Sequence, residues 1–326
     1  MSAPPRLQPL TRARVADLGE AGAAWHAALP GVLDALAQRW EVAWGRQLPG
    51  GSASYVLAAT TRDEQERVLK VRLPEPGLGE GLGEGRDGGE GGEGGEARVL
   101  RAADGRGYAR LHAYVPASDL GLADGADALL LERLGPSLDA TGGSVEDRLT
   151  VLARTLREAW QVPPPPTGPR EDKALSLARA VRETDARLGG VTDPAALREA
   201  LAAAERLAGW TGATVTVHGD AHPSNLLRTR DGRGTGWAFV DPDGFACDPA
   251  YDLGVAVRDW SSHLRGADAR ARLRGWCGLL ATATGLDARR VWDWAYLERV
   301  STGLYVSGFG APTVGRPFLE TAAALV

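Results

Sequence analysis

Cysteine and methionine are nearly absent from this 326-residue chain, which holds Cys247, Cys277 and a single methionine. Two thiols cannot build a disulfide framework or a zinc cage, and they suit a reducing, cytoplasmic setting. No apolar run reaches the ~18 residues a membrane helix needs, so no membrane partner is expected. Met1 to Arg14 carries three arginines but no apolar stretch behind them, so no secretory leader is read there. Basic tracts are missing too. The 37 Lys and Arg are outnumbered by 42 Asp and Glu, only two of the bases are lysine, and they form no cluster. That balance excludes the usual footprint of a nucleic-acid partner, while the net charge of −5 leaves room for a cationic ligand. What is present, 44% hydrophobic and 24% charged residues, is ordinary globular material with enough length for two domains.

Along the chain, Val15 to Trp40 reads as helix, broken by a turn at Leu29-Pro30-Gly31, with Val32, Leu33, Leu36 and Trp40 at helical spacing. Pro49-Gly50-Gly51-Ser52 is a turn. Strands are expected from Tyr55-Val56-Leu57 and over Arg67 to Val71, giving a hairpin with a glycine turn at one end and Lys70 on its return strand. Residues 77–95 contain 11 glycines in 19 positions interleaved with charge. Such a stretch cannot bury a core and is expected to be a flexible insertion. Gly83-Glu-Gly85-Arg-Asp-Gly88 within it matches G-x-G-x-x-G, but no strand leads into it and no apolar helix follows, so the dinucleotide reading is rejected. A short helix should open at Glu96. Further strands are expected at Tyr108–Val115 and Ala128–Leu134, helices near Val145–Trp160, Asp172–Leu188 and Pro194–Ala208, and a helical C-terminal third from Pro249. The tract Pro163 to Pro166 acts as a stiff spacer, and Gly135-Pro136 is the candidate hinge.

The densest chemistry lies between His218 and Asp252. A strand at Ala213–Val217 leads into His218-Gly-Asp220-Ala-His222-Pro-Ser-Asn225, and a second apolar strand ends in Val240-Asp241-Pro-Asp243-Gly244. Phosphoryl transfer to an alcohol needs a carboxylate beside the acceptor hydroxyl. It also needs a carboxylate and an amide oxygen to hold Mg²⁺ against nucleotide phosphates. A single Asp at a strand end is more often a loop cap than a catalyst. The ordered set Asp220, Asn225, Asp241, spaced by five and sixteen residues, is much harder to obtain by chance.

His-Gly-Asp-x-x-x-x-Asn followed by an apolar strand and Asp resembles the aminoglycoside phosphotransferase family. The H-G-D-A-H-P-S-N, V-D-P-D-G and D-P-A-Y-D-L segments look most like its streptomycin 6-kinase and hydroxyurea phosphotransferase branch. The likeness runs from about Trp25 to the C-terminus. It implies an α+β, bilobal protein-kinase-like fold, with a small antiparallel-sheet nucleotide-binding lobe over residues 1–134 and a mainly helical catalytic and acceptor-binding lobe over 135–326. It also implies Mg²⁺ and ATP or GTP as cofactors, a small hydroxylated acceptor such as a cationic antibiotic, and a monomer or dimer. By position, Asp220 would be the catalytic base, Asn225 and Asp241 the Mg²⁺ ligands, and Asp243 a contact to a second ion. Lys70 would reach the α/β-phosphates and Glu96 would pair with it, with Glu90 and Glu93 of the glycine-rich stretch as competitors for that role. Gly50, Gly51 and Ser52 would cover the nucleotide, Glu132, Arg133 and Leu134 would bind its base, and Asp248 would brace the catalytic loop. Where relatives carry Leu-His after the first helix of the second lobe, this chain has Ala159-Trp160, a change expected to affect packing alone.

Two other readings compete. His218-x-Asp220-x-His222 has the spacing of a metal-hydrolase ligand set, against which stands loop bracing by both histidines. A nucleotide-binding pseudokinase would lack the base, a metal ligand or the lysine, and this chain has all three. For the acceptor, Asp259, Trp260, Trp292, Asp293, Trp294, Glu298 and Tyr305 are candidates, although aromatics at helical spacing are more often core. Hydroxyurea, nucleoside antibiotics and amino sugars remain alternative acceptors.

Overall fold

The computed structural model describes residues 4–48, 50, 53–74, 95–164 and 172–326. Gly51, Ser52, residues 77–94 of the glycine-rich stretch and the end of the proline tract lie outside the described residues. The chain separates into two units. One holds the described residues up to Gly105 with Ala109–Leu134, the other Arg106–Tyr108 with Gly135–Val326.

The first unit begins with α1 (Pro9–Asp17) and α2 (Gly19–Trp40). The helical break falls at Leu18-Gly19, where Gly19 takes a φ of 57°, and not at Pro30, through which α2 runs unbroken. An internal proline costs about 3 kcal/mol. Opposing it, Trp25, Leu29, Val32 and Leu36 form a stripe no more than 5% exposed, each side chain contributing about 1.5–3 kcal/mol on burial. The stripe wins.

That stripe covers one face of a sheet made by β1 (Val42–Gln47), β2 (Ser54–Thr61), β3 (Glu66–Arg72), β4 (Leu111–Val115) and β5 (Ala128–Glu132), with α3 (Gly95–Ala103) and α4 (Ala117–Leu120) between strands. The order is β1-β2-β3-β5-β4 and every pairing is antiparallel. On β3, Leu69 and Val71 join the core beneath α1 and α2. The two-residue period therefore turns Lys70 to the opposite face. Strand β1, unanticipated from sequence, is an edge strand buried only at Val42, so it shows no apolar alternation.

The second unit is built around α8 (Ala250–Arg258) and α10 (Ala288–Gly308), which pack together and are buried along most of their lengths. Around them lie α5 (Val145–Ala159), α6 (Lys173–Arg187), α7 (Pro194–Leu207), α9 (Ala269–Thr284) and α11 (Pro312–Ala324). Asp172 and Asp193 cap α6 and α7 by accepting two backbone N–H groups each. Two short ribbons, β6 (Val215–Thr216) with β9 (Ala246–Cys247) and β7 (Leu226–Arg228) with β8 (Trp237–Phe239), carry the polar loops. Tyr108, expected in a strand with Val115, instead makes an isolated parallel bridge to Phe239, and β4 starts only at Leu111. No described helix is long and apolar enough to cross a membrane.

Candidate active site

In the first unit, the Lys70 ammonium lies 2.6 Å from Glu96 Oε2, with both residues buried. Strand β3 delivers the lysine to the face away from α2, and the first turn of α3 delivers the glutamate. An acidic residue at a helix start also meets the positive end of the helix dipole. Glu132 folds back onto the sheet. Its Oε1 accepts the Arg110 backbone N–H at 2.8 Å, and its own N–H donates to the Arg110 carbonyl at 3.0 Å. Leu134 is buried and Gly50 is exposed.

In the second unit, the two ribbons hold the His218–Asn225 and Val240–Phe245 loops side by side. The Asp243 N–H donates to the His218 carbonyl at 2.7 Å, and the Val240 N–H to the Asn225 carbonyl at 2.9 Å. This brings Asp220, Asn225, Asp241 and Asp243 onto adjoining loops. Gly219 sits at φ 93°, and a Cβ there would lie 2.3 Å from an Asp243 carboxylate oxygen, so both its conformation and its neighbour demand glycine. Asp241 is also left-handed, at φ 60°. A non-glycine residue held there costs on the order of 1–2 kcal/mol, the kind of strain that gathers at functional loops.

His218 is fully buried between Tyr108 and Phe239. Its Nδ1 accepts the Asp220 N–H at 3.0 Å and its Nε2 donates to the Val240 carbonyl at 2.9 Å. Burial pushes its pKa down to about 4, so the ring is neutral and its tautomer is fixed by these two bonds. His222 is engaged at both nitrogens as well, Nδ1 by the Ser224 N–H at 3.2 Å and Nε2 by Asp220 Oδ2 at 3.2 Å. Neither imidazole offers a lone pair for zinc, and among the described residues no group of three or more His, Cys, Asp or Glu could hold a metal. The histidines brace the loop.

The Asp220 carboxylate stands 39% exposed on this rigid frame. Its Oδ1 accepts from Arg258 Nη2 at 2.7 Å. Burial pushes its pKa up, but the charges of His222 and Arg258 and their hydrogen bonds prevail and hold it well below the usual carboxylate range. Asn225 donates its amide N–H to the Asp220 carbonyl at 3.1 Å, which directs its amide oxygen elsewhere as a hard donor. With the Asp241 carboxylate, that all-oxygen set suits Mg²⁺.

The carboxylate that braces the His218–Asn225 loop is Asp252, where Asp248 was expected. Asp252 is fully buried and accepts the His218 N–H at 2.8 Å, the Gly219 N–H at 3.0 Å and the Trp160 indole N–H at 2.8 Å. Asp248 accepts from the Ala250 N–H at the start of α8, and from Arg290 and Trp294. The Trp160 indole therefore reaches the His218–Asn225 loop through Asp252, a polar contact in addition to the packing change that was expected. Burial pushes the Asp252 pKa up to about 6, against the three donors that favour its charged form. Trp160→Phe removes one of those donors and is expected to cost about 1.5–3 kcal/mol. The loss should be largest above pH 7, where Asp252 is ionised, and should shrink as pH falls through about 6 and the carboxyl protonates. Urea unfolding at pH 8 and pH 5 measures the difference, and equal losses at both would show that the indole N–H does not serve a charge.

The family model for aminoglycoside/hydroxyurea antibiotic resistance kinases matches residues 39–310. The chain belongs to that kinase family. A streptomycin 6-kinase of Streptomyces glaucescens is 30% identical over 304 residues, 91% of this chain and 89% of the relative. A hydroxyurea phosphotransferase of Kitasatospora aureofaciens is 29% identical over 283 residues, 85% and 72% of the two chains. The fold alone is shared with Plasmodium vivax ethanolamine kinase, at a TM-score of 0.57 and 11% identity over 86% of this chain and 81% of the other. The protein is thus a phosphotransferase with a protein-kinase-like fold.

The structure sorts this kinase's candidate acceptor residues. Asp259 and Glu298 approach the catalytic loop through Arg258, at 2.8 and 3.5 Å from its guanidinium. Asp293 instead accepts from Arg206 at 3.0 and 2.8 Å and from Arg289 at 3.3 Å. Trp294 is bonded to Asp248 and Trp260 to the Ala256 carbonyl, both indoles buried. Trp292 lines a cavity of about 240 Å³ with Arg270, Arg274 and Arg289, which includes none of the catalytic-loop residues. Tyr305 is exposed and packs on Phe309.

Proposed function

We propose that this kinase moves the γ-phosphoryl group of ATP or GTP, in a Mg²⁺-dependent reaction, to a hydroxyl of an aminoglycoside-type antibiotic. The observation that carries this reading is the Asp220 carboxylate, ionised, partly exposed and anchored by buried groups, in a chain of this family. Residues 1–134 serve as the nucleotide-binding lobe and 135–326 as the catalytic and acceptor-binding lobe.

Phosphoryl transfer passes through a loose transition state, so the protein's contribution is position and charge. Asp220 accepts a hydrogen bond from the acceptor hydroxyl, orients it, and takes its proton as the new P–O bond forms. Lys70, aligned by Glu96, meets the α/β-phosphates. Glu132, Arg133 and Leu134 receive the base. Asn225 and Asp241 would hold Mg²⁺, which when bound neutralises phosphate charge. Asp243, whose carboxylate lies against Gly219, would contact a second ion.

The streptomycin relative is matched over more of its length than the hydroxyurea relative, which favours the aminoglycoside. Phosphate transfer from ATP and from GTP should be screened across streptomycin, other aminoglycosides, hydroxyurea, nucleoside antibiotics and amino sugars. An aminoglycoside product is expected, and a product from hydroxyurea alone would replace the acceptor class. Calorimetry should show nucleotide binding strengthened by Mg²⁺, with that gain lost in Asn225→Ala and Asp241→Ala. An unchanged Mg²⁺ response in both would remove them as ligands.

A further inference from the structure

Arg258, which the sequence alone did not single out, ends α8 with its guanidinium buried among three carboxylates. Its Nη2 donates to Asp220 Oδ1 at 2.7 Å, its Nε donates to Asp259 Oδ1 at 2.8 Å, and its Nη1 lies 3.5 Å from Glu298 Oε2. The Arg258 side chain is only 10% exposed, and Glu298 is 6% exposed. Here all three edges of the planar fork are used, and one of them is spent on Asp220.

We infer that Arg258 is a positioning residue for the transfer step, on the reading that Asp220 orients the acceptor hydroxyl. The Asp220 backbone is held by His218, but that leaves rotation of the carboxylate about its own bond. Oδ2 is met by His222 at 3.2 Å and by the Asn225 amide only at 3.5 Å. The charge-assisted bond from Arg258 is the shortest of these contacts and, with His222 on the other oxygen, sets the carboxylate plane. It commits Oδ1 to Arg258, while Oδ2, which faces His222 at 3.2 Å, keeps a second lone pair for the hydroxyl. Asp259 and Glu298 hold the fork in turn, from the end of α8 and from α10. The same guanidinium separates three like charges that would otherwise repel one another and swing Asp220 away. Lysine cannot replace it, because a point charge on a flexible stem does not reach three separate carboxylates at once.

The test uses the full-length kinase with ATP, Mg²⁺ and streptomycin. Arg258→Lys is expected to stay folded, keep its nucleotide affinity and KM for ATP, and lose about 10²-fold in kcat, the scale of a small misplacement of a reacting group. Arg258→Ala should lose more, and guanidinium ion below its unfolding range should restore part of the turnover where equal urea does not. Wild-type kcat in Arg258→Lys would overturn the inference, as would an Arg258→Ala enzyme that is folded yet unresponsive to guanidinium. Asp220→Asn in the same assay separates the two levels. If it retains turnover, the reading of Asp220 fails. If it loses turnover while Arg258→Lys does not, only the role of Arg258 fails. A double-mutant cycle of Asp220→Asn and Arg258→Lys, read by thermal unfolding, tests the pair without any acceptor, and additive effects would count against it.

Discussion

Asp220→Asn is expected to cut the turnover of phosphoryl transfer by about 10²–10⁴-fold, the usual worth of general-base assistance, while nucleotide affinity stays near that of the unaltered kinase. Asparagine keeps the size of the side chain and an oxygen that can still accept from Arg258 Nη2. The backbone bond to His218 does not depend on the side chain at all. What disappears is the negative charge presented to the acceptor. Calorimetry with nucleotide and a coupled transfer assay, on protein shown to be folded, separate binding from chemistry. Near-wild-type turnover would place the chemistry elsewhere.

Lys70→Met is expected to act on two quantities at once. Transfer to every acceptor should fall, by about 10²–10³-fold if Lys70 acts as a single preorganised donor to developing charge. Stability should fall too, because Lys70 and Glu96 are both buried at 2.6 Å. Removing one partner of such a pair costs on the order of 3–5 kcal/mol, whereas replacing both with apolar residues is often neutral. The double variant Lys70→Met/Glu96→Leu should therefore unfold near the wild-type denaturant concentration and still fail to transfer phosphate. Recovery of transfer along with stability would show that the pair serves the fold alone.

Much of the fold was legible because it is local. The Val68–Val71 and Ala128–Leu131 runs are apolar enough to be central strands, and they pair as neighbours in the sheet. The α6 and α7 boundaries follow from Asp172 and Asp193 with apolar periodicity behind them. Strand β1 escaped notice because an exposed edge strand carries no alternation. Pro30 was misjudged because proline is a local signal, whereas the burial that carries α2 through it comes from the sheet underneath.

The candidate site divides in the same way. His218 to Asn225 lie in one loop, so residue type and spacing alone brought Asp220 and Asn225 together, and the following strand added Asp241. The supports come from far along the chain. Trp160 meets Asp252 across 92 residues, Asp252 meets His218 across 34, and Arg258 meets Asp220 across 38. Asp248 and Asp252 stand four residues apart on the same segment, and nothing in their sequence says which one faces the loop. The strand and helix periods made most elements legible, and the loop motif with the Asp241 strand end carried the resemblance to the kinase family. Tertiary structure alone decided which buried carboxylate braces that loop and which arginine meets Asp220. Hydrogen bonds between elements depend on how α5 and α8 pack around the ribbons, and packing is a property of surfaces that meet only after the chain has folded.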